Sequence, residues 1–350
     1  MTWLPLLLAD PSACLRWLVL RDLFELPAEH PEVQELGALR RSDPLVSELL
    51  AIQQPDGAWR RGTLGPGRKG SHVHTTALGL MRLGYLGFDS AFPPVQRAAE
   101  YLFSHQQADG SWPLTVAVDE ALEQEVEGIP QGYDMIPLQT VFPLRALAAC
   151  GYATDPRAER AYEWLLAQRL EDGAWPTGKA QGVNGRVAGY RRLPHSLWGC
   201  RSNTTGALTC LALHPERRSS PPARRALDLL LGRETRERYA LGYEVARLLG
   251  AEPARGFVTF FARFDLGLLL YICSRVGASS DDQRVAELVA FIRSQQGEAG
   301  LWEYSAQPQV TRWVSFDLLR SLAQLDVAYD WLTVEPPGPF RPYPKREKRF

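Results

Sequence analysis

The sequence predicts an all-α protein, an (α/α)6-type toroid or barrel of helical hairpins. Three observations carry that prediction. A turn motif recurs along the chain, helical segments alternate between one-sided and all-round apolar character, and no stretch alternates convincingly at period two.

Each element follows from the residues in order. Ser12 to Glu25 reads as a first helix. Four turns then share one pattern: an amphipathic helix, Gln, an acidic or Gly turn, and Gly-x-Trp. They run through Gln53 and Gly57 to Trp59, through Gln106 and Gly110 to Trp112, through Gln168 and Gly173 to Trp175, and through Gln296 and Gly300 to Trp302. Spacings between the tryptophans are 53, 63 and 127, so a degenerate unit is expected near residue 235, where Arg224 to Leu230 supplies a helix without the turn. The helices before the turns are one-sided: Ala98, Leu102 and Phe103 alternate with Gln96, Arg97 and Glu100. The segments after them are apolar on more than one face, as helices buried on both sides must be. They are Thr75 to Leu86, Ile136 to Cys150, Thr204 to Leu213, Phe257 to Val276 and Thr311 to Leu325. Asp155-Pro156 and Ser279 to Asp282 read as helix starts. Leu83-Gly84, Cys150-Gly151 and Val276-Gly277 read as helix ends. Stacked repeats of this kind bury their apolar faces on one another. The expected layout is one toroid domain over 1–335 and a Pro-rich, basic tail over 336–350. Longer polar loops, Gly62 to Ser71, Thr115 to Tyr133 and Gly178 to Trp198, lie between turns and inner helices, where function usually resides.

Composition narrows the function classes. Of 350 residues, 45% are hydrophobic and 23% charged, which excludes a disordered chain. With 39 basic against 40 acidic residues, nucleic acid is not an expected partner. No apolar run approaches the ~18 residues of a membrane span. Five scattered cysteines without a C-x-x-C suggest neither disulfides nor zinc, and fit a reducing cytoplasm. Basic residues of the tail, Arg341, Lys345, Arg346, Lys348 and Arg349, offer a peripheral contact for anionic lipid.

The run Arg97-Ala98-x2-Tyr101-Leu102-x3-Gln106-x3-Gly110-Ser111-Trp112 resembles, position by position, the QW repeat of squalene–hopene and oxidosqualene cyclases. Arg160-Ala161-x2-Trp164-Leu165, running to Trp175, resembles it with one residue shifted. The resemblance covers about 45–325 and extends to the terpene cyclase and prenyltransferase superfamily of α/α toroids. It implies a structural role for the Gln and Trp and an apolar isoprenoid ligand. The triterpene cyclases have two such domains and this chain has length for one, so whether a partner supplies another domain stays open. Their Asp-x-Asp-Asp-Thr-Ala motif is missing. The matching places read His72-Val73-His74-Thr75-Thr76-Ala77 and Arg201-Ser202-Asn203-Thr204-Thr205-Gly206-Ala207.

Candidate site residues follow from chemistry. As a proton donor to an alkene an imidazolium starts about 3.5 kcal/mol worse than a carboxylic acid. His72 and His74 are therefore better suited to epoxide opening, base catalysis, ligand contact or helix capping; they chelate a metal together only from a loop. Asp265 and Asp317 sit in apolar helical patterns, where an unpaired acid is unfavourable. Each is either half of a buried salt bridge, with Arg312 or Arg201 within reach of Asp265, or a proton donor with a raised pKa. Asp134 is expected to N-cap an inner helix, as is the Asp281-Asp282 pair for an outer one. Trp198, Phe260, Phe264, Tyr271, Trp313 and Phe316, with Phe142 and Phe257, are either core or stabilisers of a carbocation. No cofactor or metal is implied. Three functions remain: a cyclase that protonates an isoprenoid or similar apolar substrate with Asp265 or His74 as acid, a non-catalytic isoprenoid- or lipid-binding or scaffold relative, and a polysaccharide-active α/α barrel.

Overall fold

The computed structural model describes residues 3–60, 63–64, 71–112, 133–180, 183–184, 187, 189–232, 239–254 and 260–325. Inner helices are α2 (Ala13–Leu18), α5 (His72–Tyr85), α7 (Pro137–Ala149), α9 (Arg201–Leu213), α12 (Leu266–Val276) and α14 (Thr311–Leu325). Outer helices are α4 (Pro44–Ala51), α6 (Pro93–Ser104), α8 (Pro156–Ala167), α10 (Pro221–Leu231) and α13 (Gln283–Ser294). Two more, α1 (Leu4–Leu8) and α3 (Pro31–Leu39), flank α2. Five of the six inner helices pack in chain order, α5 on α7, α7 on α9, α9 on α12 and α12 on α14. The ring closes on the N-terminal segment: α14 packs on α1 and on a π-helical turn, Val19–Leu23, that continues α2. On the other side of that segment Arg40 donates to Gly87 O (2.7 Å) and lies over the rings of Trp17 and Phe88. The fold is an all-α toroid.

The recurring turns hold the two layers together. Each tryptophan is buried, and its indole N–H donates to a carbonyl ten residues back at the end of an outer helix. Trp59 reaches Leu49 O (2.9 Å), Trp112 reaches Leu102 O (2.7 Å), Trp175 reaches Leu165 O (2.7 Å) and Trp302 reaches Ile292 O (2.7 Å). The backbone N–H of the same tryptophan donates to a hydroxyl on the following inner helix: Thr76, Thr140, Thr204 and Ser315, at 2.9 to 3.2 Å. Gln106 donates to Gly110 O and to Arg157 O of the next outer helix, both at 2.9 Å. Gln53 does the same with Gly57 O and Pro94 O. So one turn ties three helices. In the third turn Gln168 is displaced by one position, and Arg225 of the next outer helix donates to Asp172 O (2.8 Å) instead. Burial of an indole contributes about 4–6 kcal/mol by area as an upper figure.

The structure corrects several expectations. Asp265 lies outside the helical interior: α12 begins at Leu266, and Phe264–Asp265 form a short strand pairing in parallel with Tyr239–Ala240. A second small sheet joins Tyr133–Met135, Lys179–Ala180 and Val183–Asn184. Asp134 is therefore in a strand, and Ile136 stands at the N-cap position of α7. Helix α5 passes through Gly84 and stops before Gly87, which has φ of 84°. The other expected ends hold at Gly151 and Gly277, both at positive φ. Asp155 and Asp282 cap α8 and α13. All five cysteines are buried free thiols. The tail over 336–350, with Phe257 and most of the first two polar loops, lies outside the described residues. No helix among the described residues is long and apolar enough to cross a membrane.

Candidate functional site

A six-residue helix that the apolar pattern does not announce, α11 (Tyr243–Leu248), sits inside the ring against α5, α12 and α14. Gly242 starts it with φ of 80°, and a Cβ there would meet Val314 Cγ2 at 2.4 Å, so only glycine fits. Its charged side chains point into the protein interior: Glu244 is 4% exposed and Arg247 2%. Glu244 pairs with Arg247 and with Arg145 of α7 (2.6 Å). Arg247 also donates to Phe260 O and lies over the Phe260 ring at 3.5 Å. Burial pushes the Glu244 carboxyl up, but the two guanidinium groups overcome this and leave it below its ordinary value.

Asp265 fixes this helix from below. Its Oδ1 accepts from Gly242 N (3.1 Å) and Gly267 N (2.9 Å), and its Oδ2 accepts from Glu244 N (2.6 Å). It thus caps α12 and clamps the start of α11 with one carboxylate. Burial pushes its pKa up to about 6, against the pull of the amide donors. Asp317 of α14 pairs with Arg320 (2.6 Å), and Arg320 with Asp22 (3.0 Å). Burial raises the Asp317 pKa while Arg320 opposes the rise.

Between these groups lies a cavity of about 130 Å³. Its polar wall carries Tyr85, Arg145, Glu244, Asp265, Tyr271, Asp317 and Arg320. Met81, Leu213, Leu248, Leu268, Val314 and Leu318 supply the apolar wall. The Tyr85 hydroxyl is buried and has no hydrogen-bond partner among the described residues. Burial first, and the Asp317 charge second, hold its pKa well above that of an ordinary phenol, so it stays protonated.

Of the residues singled out in the sequence, the structure brings Asp265, Asp317 and Tyr271 to this cavity. Others go elsewhere. His74 stacks on Phe142 (centroids 4.4 Å apart), and burial lowers its pKa to about 4, so it is a neutral imidazole at pH 7. His72 is the half-buried first residue of α5. Phe260 is buried and packs edge-on to Phe142 at 4.7 Å. Phe264 is buried beneath Arg201 (5.3 Å from the ring), and Arg201 donates to Ala262 O (2.5 Å). Arg312 pairs with Asp10 (3.3 Å). The hydrogen bonds described for Asp265 thus come from backbone amides, and neither arginine is among its donors. Arg312 and Trp313 line a separate groove of about 1080 Å³ between the first and last hairpins, where Asp43 is committed to Ser12 and Cys14. Phe316 is core, under Arg320 (5.0 Å). Trp198 is 37% exposed on the loop before α9, away from any core. Among the described residues no group of three His, Cys, Asp or Glu side chains is placed to hold a metal ion.

Tyr85, Arg145, Glu244, Arg247 and Arg320 were missed from sequence. A signal existed. Arg145 interrupts Val141-Phe142-Pro143-Leu144-Arg145-Ala146-Leu147, and a charge inside an all-round apolar helix requires a buried partner.

Comparison with known proteins adds to this geometry. A family model described as the squalene-hopene cyclase C-terminal domain matches residues 27–186. The squalene–hopene cyclase of Bradyrhizobium diazoefficiens is 30% identical over 134 residues, 37% of this chain and 18% of that protein. The probable squalene–hopene cyclase of Sinorhizobium fredii is 28% identical over 149 residues, 40% of this chain and 21% of that protein. The matched stretch therefore spans about a fifth of these curated relatives. A type II terpene cyclase from Scytonema, in complex with geranylgeranyl dihydroxybenzoate, overlays with a TM-score of 0.35 at 13% identity, over 80% of this chain and 96% of that one. A protein from Actinoplanes overlays at 0.33 and 16% identity, over 84% and 100%. At such scores neither overlay adds to the fold drawn from the helix contacts.

Proposed function

The chain belongs to the terpene cyclase-like superfamily, and from that premise we propose that it is a small-molecule-binding member, not a proton-initiated cyclase of long isoprenoids. The observation that carries this reading is the occupied ring centre. The cavity beside α11 measures about 130 Å³ among the described residues. A protein cavity of about 150 Å³ holds one benzene, six carbons. A twenty-carbon chain needs more than three times that space.

The acid chemistry supports the same reading. A proton on Asp265 must sit on an oxygen that already accepts from an amide, and Asp317 is held by Arg320. His74 is a poor donor because it is neutral. The Gln–Gly–Trp turns, read as QW repeats, have structural work throughout. The polysaccharide reading is weaker, since both carboxylates are already engaged and Trp198 lies far out on a loop. The free thiols fit a cytoplasmic protein.

One observation favours the cyclase as a second reading: Asp265 and Asp317 line the same cavity, and burial raises both carboxyls. The test is product analysis by GC–MS after incubation with squalene, its epoxide and prenyl diphosphates of several lengths. Unchanged substrate is expected. A cyclised product that disappears in Asp265→Asn would overturn the binding reading and install Asp265 as the acid.

A further inference from the structure

We propose that the central cavity is a binding site for a small, neutral, hydroxyl-bearing molecule, about the size of a substituted six-membered ring, held through the Tyr85 hydroxyl. The inference rests on the binding reading above and names the chemistry of what is bound.

Size follows from the cavity, about 130 Å³ against the ~150 Å³ that accommodates a benzene. Neutrality follows from the charges around it. Arg145 and Arg320 line it beside Glu244, Asp265 and Asp317, and Arg247 and Asp22, outside the lining, pair with Glu244 and Arg320. Every one of these has a partner: Glu244 bridges two arginines, Arg320 bridges Asp317 and Asp22, and Asp265 takes three backbone amides. A charged ligand would bring an uncompensated charge into this interior, which is strongly unfavourable. A diphosphate would need surplus cations, and this shell has none to spare.

The hydroxyl requirement follows from Tyr85. Its hydroxyl is buried with no partner among the described residues, in a shell whose charged groups are held in ion pairs or, for Asp265, by backbone amides. A buried hydroxyl left unpaired is costly, so the site calls for a bonding group on whatever fills it. The rest of the ligand meets Met81, Leu213, Leu248, Leu268 and Val314. An alcohol or phenol on a compact apolar body matches that division.

The experiment uses phenol, benzene and benzoate as probes, with the full chain titrated calorimetrically. Phenol is expected to bind saturably at one per chain. Benzene, of similar shape but lacking the hydroxyl, is expected about fivefold weaker, the effect of one hydrogen bond. Benzoate is expected at least tenfold weaker than phenol. In Tyr85→Phe the advantage of phenol over benzene should vanish while benzene affinity stays within about twofold, a readout that misfolding cannot imitate. Absence of saturable phenol binding, benzoate binding as tight as phenol, or an undiminished phenol preference in Tyr85→Phe would each overturn the proposal. Should Tyr85→Phe fail to fold, the ranking of the three probes on the wild-type chain decides alone. Cyclised product from an isoprenoid would defeat the binding reading separately, without bearing on this ranking.

Discussion

Replacing Glu244 with leucine removes the carboxylate that Arg145 and Arg247 share in the ring centre. The consequences for the two arginines differ. Arg247 keeps Phe260 O as an acceptor and the Phe260 face 3.5 Å away, an interaction of about 2 kcal/mol when desolvated. Among the described residues Arg145 keeps a distant ring, Phe261 at 5.7 Å, and it is 7% exposed. Its charge is left buried and unpaired, so the expected loss is about 3–5 kcal/mol. The assay is urea denaturation at pH 7 and fixed ionic strength. Arg145→Leu should be nearly as harmful, since Glu244 then keeps one of its two partners. The double variant Glu244→Leu/Arg145→Leu should recover most of the loss, giving a coupling energy of about 2 kcal/mol or more. A loss under about 1 kcal/mol for Glu244→Leu, or simple additivity in the double variant, would refute a buried triad that anchors α11.

Two further predictions concern pH and backbone. His74 takes its proton near pH 4 in the folded protein, against 6.5 when unfolded, so its contribution is lost as pH falls from 6.5 to 4, by about 3 kcal/mol in all. Asp265 acts oppositely, because its folded pKa of about 6 lies above the unfolded 3.8 and adds stability over pH 6 to 3.8. The two contributions cancel between about pH 4 and 6 in the wild type. His74→Phe should therefore gain about 1.4 kcal/mol on the wild type per pH unit lowered in that window, and a pH-independent difference in urea titrations would contradict it. Gly110→Ala should lose about 2 kcal/mol or more, because φ is 92° and the new Cβ would meet Arg160 O at 2.4 Å. Thermal unfolding measures this, and a Tm equal to wild type would show that the turn is not a fixed joint between α6 and α8.

The toroid was legible in the sequence because its joints are chemically specific. A glycine at positive φ, a tryptophan ten residues past a helix-end carbonyl and a hydroxyl on the next helix leave a pattern that survives along the chain. The one-sided and all-round apolar helices followed for the same reason. The ring centre was not legible. Helix α11 is only six residues and carries two charges, so its composition resembles a surface turn. Its burial depends on Arg145, about a hundred residues away, and on Asp265, whose capping role hides in an apolar run. Asp265 was thus found as a residue but misread as helical. His74 was found without its decisive property, since desolvation beside Phe142 sets its protonation and no local spacing records that. Trp198 belonged to the aromatic set by composition alone, and the loop carries it outward.

Whether the chain itself fills the ring is tested most directly by amide hydrogen exchange on peptides spanning residues 239–254. A helix bonded at its start to Asp265 and locked by Glu244 to α7 opens only with the core. The expected result is exchange as slow as that of peptides from α7 and α12. Exchange of the α11 amides within seconds, while α7 and α12 remain protected, would mean that the ring centre is open and that the size argument against a long substrate fails.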